Sequence, residues 1–219
     1  MGYALRPGVS FCEVDRSAIF LDLVADRYFC LGKPASAAFL EFVRCPLTEI
    51  APDWPAYGLV DQGVLLPIPG STTLNACTGS PVSGTMFDRR SGSAISLGVA
   101  EALCLRGAAE VALKVCGLDK CMSAAAQRRQ CSVRIANRDL ALCASKAFAG
   151  SALWRSRQQR CLSISFATVE WLLRRGCRVE LILGVRLHPF QAHCWTQCDG
   201  ILINDTVDAV RNFTPILIV

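Results

Sequence analysis

Cys161-Leu162-Ser163-Ile164-Ser165-Phe166-Ala167-Thr168-Val169-Glu170-Trp171-Leu172-Leu173-Arg174-Arg175-Gly176, then Arg178 to Arg186 (RVELILGVR), Gln191 to Cys198 (QAHCWTQC) and Ile201 to Asp205 (ILIND), is the stretch that decides the fold. Leu162, Phe166, Val169 and Leu173 share one face at helical spacing, and Gly176 is a natural C-terminal stop. The three runs that follow alternate or turn apolar at strand length. His188-Pro189-Phe190 reads as the turn between the first and second, with His188 facing solvent, and Asp199-Gly200 as the hairpin between the second and third. One helix packed on an antiparallel sheet makes the C-terminal half an α+β unit.

The same stretch carries a thiol, an imidazole and a carboxylate. Cys161 heads the helix, where unpaired N–H groups and the helix dipole favour a thiolate and could also hold an oxyanion. His193 and Asp205 lie on the second and third strands as a candidate base and its orienting acid. Register decides whether they meet. With a two-residue Asp199-Gly200 turn, His193 faces Thr206 and Asp205 points away; with a three-residue Cys198-Asp199-Gly200 loop the two are opposite on one face. The three-residue loop or an equivalent bulge is the expectation, because a buried Asp205 otherwise lacks a partner. The hairpin taken alone favours a half-buried histidine beside Trp195 over a catalytic base. Cys194 and Cys198 project from the strand face opposite His193, so these three do not converge on a metal, and no metal or other cofactor is expected.

The remaining composition narrows the class. The chain has 219 residues, 52% of them hydrophobic, enough for one domain or two small ones with real cores. The net charge of +5 is scattered over Arg89-Arg90, Arg128-Arg129, Arg155 to Arg160 and Arg174-Arg175, which argues against nucleic acid. Mean hydropathy is +0.35, yet Ala94 to Leu118 is interrupted by Glu101, Arg106, Glu110 and Lys114 on one wet side, so no membrane span is expected. Met1 to Pro7 lacks the apolar core of an export signal, which points to the cytoplasm. Thirteen cysteines, an odd number, are then expected to be mostly reduced, buried and inert. Gly32-Lys33 follows a strand without the upstream glycine or the Ser/Thr of a nucleotide loop, so nothing here calls for ATP.

Toward the N-terminus, Val9 to Val14, Ala18 to Val24 and Tyr28 to Leu31 read as a three-stranded meander with polar turns. Pro34 sits in the first turn of a helix carrying Ala35, Ala38, Phe39 and Phe42, and a short helix spans Tyr57 to Gln62 before Gly63. A three-stranded sheet with short helices in so few residues resembles a small winged-helix-like module, whose size predicts an exposed apolar surface or a partner. Residues 67–92 are rich in Gly, Ser, Thr and Pro and read as a boundary region. Ala94 to Leu153 reads as helical, with breaks at Gly107, Gly117 and Gly150. The expected division is 1–80, a linker 81–93, and 94–219.

Cys161-Leu162-Ser163, Leu172 to Gly176, Leu183-Gly184-Val185-Arg186, Pro189 to Trp195 and Gly200 to Asp205, together and in order, resemble the B protein family of lasso-peptide biosynthesis. Asp26 to Leu31 is similar to one strand of that family's leader-recognition element. Cys194, between His193 and Trp195, and Thr196-Gln197 depart from the family pattern. The resemblance implies a winged-helix-like recognition module fused to a papain-related, transglutaminase-like cysteine peptidase that removes the leader from a lasso-peptide precursor. Cys161, His193 and Asp205 would be its catalytic residues, and Tyr28, Phe29, Cys30, Leu31 and Tyr57 would bind the leader, which adds as a strand. It also implies an asparagine-synthetase-like cyclase as partner and a bacterial cytoplasmic setting. Two alternatives stay open: a non-catalytic leader-binding adaptor, which gains if Asp205 faces away from His193, and acyl transfer to an amine.

Overall fold

The computed structural model describes residues 1–87, 97–130, 136–152 and 161–219. Residues 88–93 of the expected linker, and the start and end of the expected helical stretch, lie outside them. The fold is mixed α+β.

β2 (Val9–Val14), β3 (Ser17–Asp22) and β4 (Arg27–Cys30) form the three-stranded antiparallel meander, following β1 (Gly2–Leu5) in the chain. Asp15 and Arg16 both take positive φ, so the first turn is the two-residue kind whose twist matches its strands. α1 (Lys33–Arg44) starts after Gly32 with proline in its first turn, and α2 (Gly58–Asp61) is the short helix expected there. The sequence reading missed β1 and β5 (Leu65–Ile68), which pair with each other.

The meander is buried on both faces. Phe11 and Phe20 meet Phe39 of α1 at ring distances of 5.0 Å, inside a cluster with Phe42, Leu59 and Leu65. Cys12, Ile19, Leu21 and Leu23 point the other way, into the main core of the molecule. The surface expected to need a partner is therefore covered by the protein's own C-terminal half. The Gly/Pro-rich region is also engaged: the Cys77 N–H donates to the Phe11 carbonyl, and β6 (Gly84–Thr85) joins the C-terminal sheet.

The helices are α3 (Leu97–Cys116), α4 (Leu118–Gln130), α5 (Arg138–Ala152) and α6 (Cys161–Arg174). Gly117 separates α3 from α4 as expected, whereas Gly107 and Gly150 lie inside helices. Arg106, read as part of the wet side of α3, is buried. The apolar stripe expected on α6 is too narrow. Ser163, Ser165, Ala167 and Thr168 are buried along with Val169, Trp171, Leu172 and Leu173, because α6 is central, packed by α3 and α5 and by the sheet. Glu101 of α3 accepts from the Trp171 indole at 2.8 Å and from Arg175 at 2.9 Å, and Arg175 lies over the Trp171 ring.

The C-terminal sheet runs β10-β7-β8-β9-β6, with β7 (Glu180–Arg186), β8 (Gln191–Cys198), β9 (Ile201–Leu202) and β10 (Thr214–Ile218). It is antiparallel except at its edge, where β6 runs parallel to β9, a correction to the purely antiparallel sheet expected. α7 (Val207–Val210) and β10 were not read from the sequence. Of the twelve described cysteines, all free, five are buried and five exposed, so the expectation that most are buried fails. No described helix is long and apolar enough to cross a membrane.

Candidate active site

Cys161, at the head of α6, and His193, in β8, are brought together with Asp205, just beyond β9. His193 Nε2 lies 2.6 Å from Asp205 Oδ2, and the imidazole also hydrogen-bonds the Cys161 sulfur. With Nε2 taken by the carboxylate, Nδ1 is the nitrogen left for sulfur. Trp195 and Phe213 hold the ring, at centroid distances of 6.2 and 5.2 Å. Gly184, opposite His193 on β7, leaves room for this packing, since a Cβ there would fall 2.6 Å from the Trp195 ring. His188 is exposed and takes no part in this constellation.

The pair forms by a different route from the expected one. Asp199 and Gly200 are a two-residue turn, both at positive φ, with Cys198 opposite Ile201 and Gln197 opposite Leu202. In a continued ladder that register would turn Asp205 away. The ladder instead stops. Ile203 N–H donates to the Thr196 carbonyl at 2.9 Å, but Thr196 N–H donates to Asn204 Oδ1, at 2.9 Å, rather than to the next backbone carbonyl. A side chain thus replaces a strand partner, the chain leaves the pleat, and Asp205 swings to His193.

Asn204, Ser165, Thr85 and Thr206, none of them expected as a site residue, fasten this departure. Asn204 Nδ2 donates to Ser165 Oγ at 2.8 Å, and Ser165 Oγ donates to the Cys194 carbonyl at 2.9 Å, tying the bend to α6 and β8. Thr85 Oγ1 donates to the Asp205 carbonyl at 2.6 Å, and Thr206 N–H donates to Asp205 Oδ1 at 2.8 Å. Ser165 is one helical turn from Cys161, the local signal that could have flagged it. Thr85 lies in a segment read as linker, where no local signal exists.

Electrostatics separate Cys161 from the other thiols. Burial pushes it up, but the hydrogen bond and charge of His193 and the N–H groups of Cys194 and Leu162 outweigh that, and the net direction is down. Burial is the main cause that carries Cys12 to about 12, Cys77 and Cys198 to about 11 and Cys194 well above its ordinary value, with neighbouring groups as lesser causes for Cys12, Cys194 and Cys198. Burial pushes His193 down, but its bonds to Asp205 and Cys161 prevail and raise it to about 9. The arrangement favours a thiolate–imidazolium pair held by a carboxylate. Such a pair can attack an acyl carbon and protonate the leaving group.

A family model described as the transglutaminase-like superfamily matches residues 104–218, a little over half of the chain. The chain belongs to the transglutaminase-like superfamily. It is also 40% identical over 45 residues to the microcin J25-processing protein McjB of Escherichia coli, a segment that is 20% of this chain and 22% of McjB. The chain thus spans about a fifth of the length of that curated relative. No solved structure matches.

The residues expected to bind a leader occupy different environments around this transglutaminase-like unit. β4 has β3 as its neighbour among the described residues, and its far edge carries no described strand. Phe29 stacks on Phe20 at 4.9 Å, and Leu31 and Tyr57 pack against the N-terminal cluster. Cys30 is exposed, and Tyr28 turns toward the main core.

Proposed function

We propose that this protein is a cysteine peptidase that removes the leader from a lasso-peptide precursor before macrolactam formation. One observation carries the reading: Cys161 is hydrogen-bonded to a histidine whose other nitrogen lies 2.6 Å from Asp205. The Cys161 thiolate attacks the carbonyl carbon of the leader–core bond, and the His193 imidazolium gives its proton to the departing core amine. Water, deprotonated by His193, then splits the thioester and leaves the leader with a free carboxylate. The Leu162 N–H, already directed at the sulfur, is a donor for the oxyanion. Asp205 keeps the ring oriented and stabilises its charged form.

The processing named for McjB supports a lasso-peptide substrate. In this reading residues 1–80 are a winged-helix-like leader-recognition domain, 81–93 a linker and 94–219 the peptidase domain. The leader pairs along the far edge of β4, near Tyr28, Phe29, Cys30 and Leu31, with Tyr57 at the α2 side. The freed core passes to an asparagine-synthetase-like cyclase in the bacterial cytoplasm. The His193–Asp205 contact favours chemistry over a purely adaptor role.

Cys161→Ala is expected to abolish cleavage of the precursor peptide while leader binding persists; cleavage that survives the substitution sinks the assignment. Superfamily membership also supports transfer to an amine in place of water. Mass spectrometry of the released leader separates the two, a free carboxylate marking hydrolysis and an amide marking transfer.

A further inference from the structure

Tyr28 and Phe29 are adjacent on β4 and alternate across the meander, so they serve different surroundings. Phe29 is absorbed by the N-terminal cluster, stacked on Phe20. Tyr28 packs against the main cluster, which contains Cys194 and against which Cys161 itself packs. Its ring centroid is 5.6 Å from that of Phe190, which stands three residues before His193 and is 49% exposed. Phe190 is exposed and Tyr28 half-buried behind it, and an exposed aromatic surface of this kind is one that an apolar group covers with gain.

Charge around the pair is consistent with an apolar occupant. Burial raises the Tyr28 phenol, and the neighbouring Cys194, Cys161, Asp26 and Cys12 add to it, so the ring stays neutral. Arg186, beside the turn, is engaged with Gln191 and the Phe213 ring, and Arg27 lies over Phe29. Sequence adjacency had grouped Tyr28 with the leader-binding strand, but it packs against the same core cluster as Cys161, and its phenol feels that thiol's charge.

We infer that Tyr28 and Phe190 form an aromatic wall beside Cys161 that receives an apolar side chain of the acyl segment being cleaved, a specificity surface built jointly by the N-terminal meander and the turn ahead of β8. The inference rests on Cys161 being the nucleophile. It makes the N-terminal module part of the reaction cleft as well as a docking element.

The test uses the full chain and acetyl-dipeptide chloromethyl ketones carrying Leu or Glu at either position, with alkylation of Cys161 followed by peptide mass spectrometry. Each rate is divided by the iodoacetamide rate of the same variant, so changes in the thiol itself cancel. The unaltered protein is expected to prefer Leu over Glu at one position by about 10-fold, the size of effect an apolar subsite delivers. Phe190→Ser and Tyr28→Ser should each remove most of that preference, and Tyr28→Phe should keep it because the ring, not the hydroxyl, forms the wall. A preference absent from the unaltered protein, or surviving both serine variants, overturns the wall while leaving Cys161 as nucleophile. Failure of every reagent to label Cys161 ahead of the exposed cysteines overturns the nucleophile assignment and the wall with it.

Discussion

Asn204→Ala removes the side chain that ends the β8–β9 ladder, and its cost follows from the bonds it breaks. Thr196 is fully buried, so its N–H loses its acceptor, Asn204 Oδ1, where water cannot replace it. An orphaned buried donor costs about 1–3 kcal/mol, and the lost bond to Ser165 about 1 more, since Ser165 Oγ keeps its bond to the Cys194 carbonyl. The sum is about 2–4 kcal/mol, a large share of the roughly 5–15 kcal/mol that holds a domain together. In urea, with a slope of about 2 kcal/mol per M, the unfolding midpoint should fall by about 1–2 M. Asn204→Asp keeps an acceptor for Thr196 and should lose about half as much. Without its anchor Asp205 no longer holds His193, so the pH midpoint of Cys161 alkylation by iodoacetamide should move up in the alanine variant. A stability change under about 0.5 kcal/mol, or an aspartate variant as damaged as the alanine one, would refute the claim that this amide replaces a strand partner.

Asp205→Asn should leave the fold intact but lower precursor cleavage by about 10³–10⁴-fold, because an amide cannot stabilise the imidazolium; stopped-time cleavage assays check it. Gly184→Ala drives a Cβ into the Trp195 ring 2.6 Å away, and overpacking of about 1–3 kcal/mol should appear as a lower melting temperature together with slower Cys161 alkylation. The pH dependence of stability has two opposed parts. Cys161, shifted down, contributes stability that is present above its ordinary 9.0 and lost as pH falls through its lowered value. His193, raised to about 9, contributes stability that is complete below 6.5 and lost as pH rises through about 9. In Cys161→Ser the histidine part stands alone, so the urea midpoint should decline as pH rises from 6.5, and adding Asp205→Asn should flatten that decline.

Much of the secondary structure was legible because its causes are local. The positions of the polar turn after β2 and of the Asp199-Gly200 hairpin, though not the hairpin's two-residue length, the alternation in β8 and the proline at the head of α1 each depend on residues within a few positions of one another. β1, β5, β6 and β10 were missed, and all four are short strands whose partners lie far away in sequence, Val185 opposite Thr214 and Leu65 opposite Leu5 among them. The α6 stripe was read too narrowly because periodicity reports one wet and one dry side, while this helix is enclosed by helices and sheet together.

By itself the sequence determined that Cys161, His193 and Asp205 occur in order on a helix and a hairpin, and the family resemblance gave the substrate class to propose. Tertiary structure decided whether they meet. The register argument was sound for a continuous ladder, yet the ladder ends at Leu202 because Asn204 takes the Thr196 N–H, and Thr85, 120 positions away, holds the Asp205 carbonyl. The wall of Tyr28 and Phe190 has the same origin. Spacing along a chain constrains only near neighbours, and these contacts come from closing loops that no local pattern encodes.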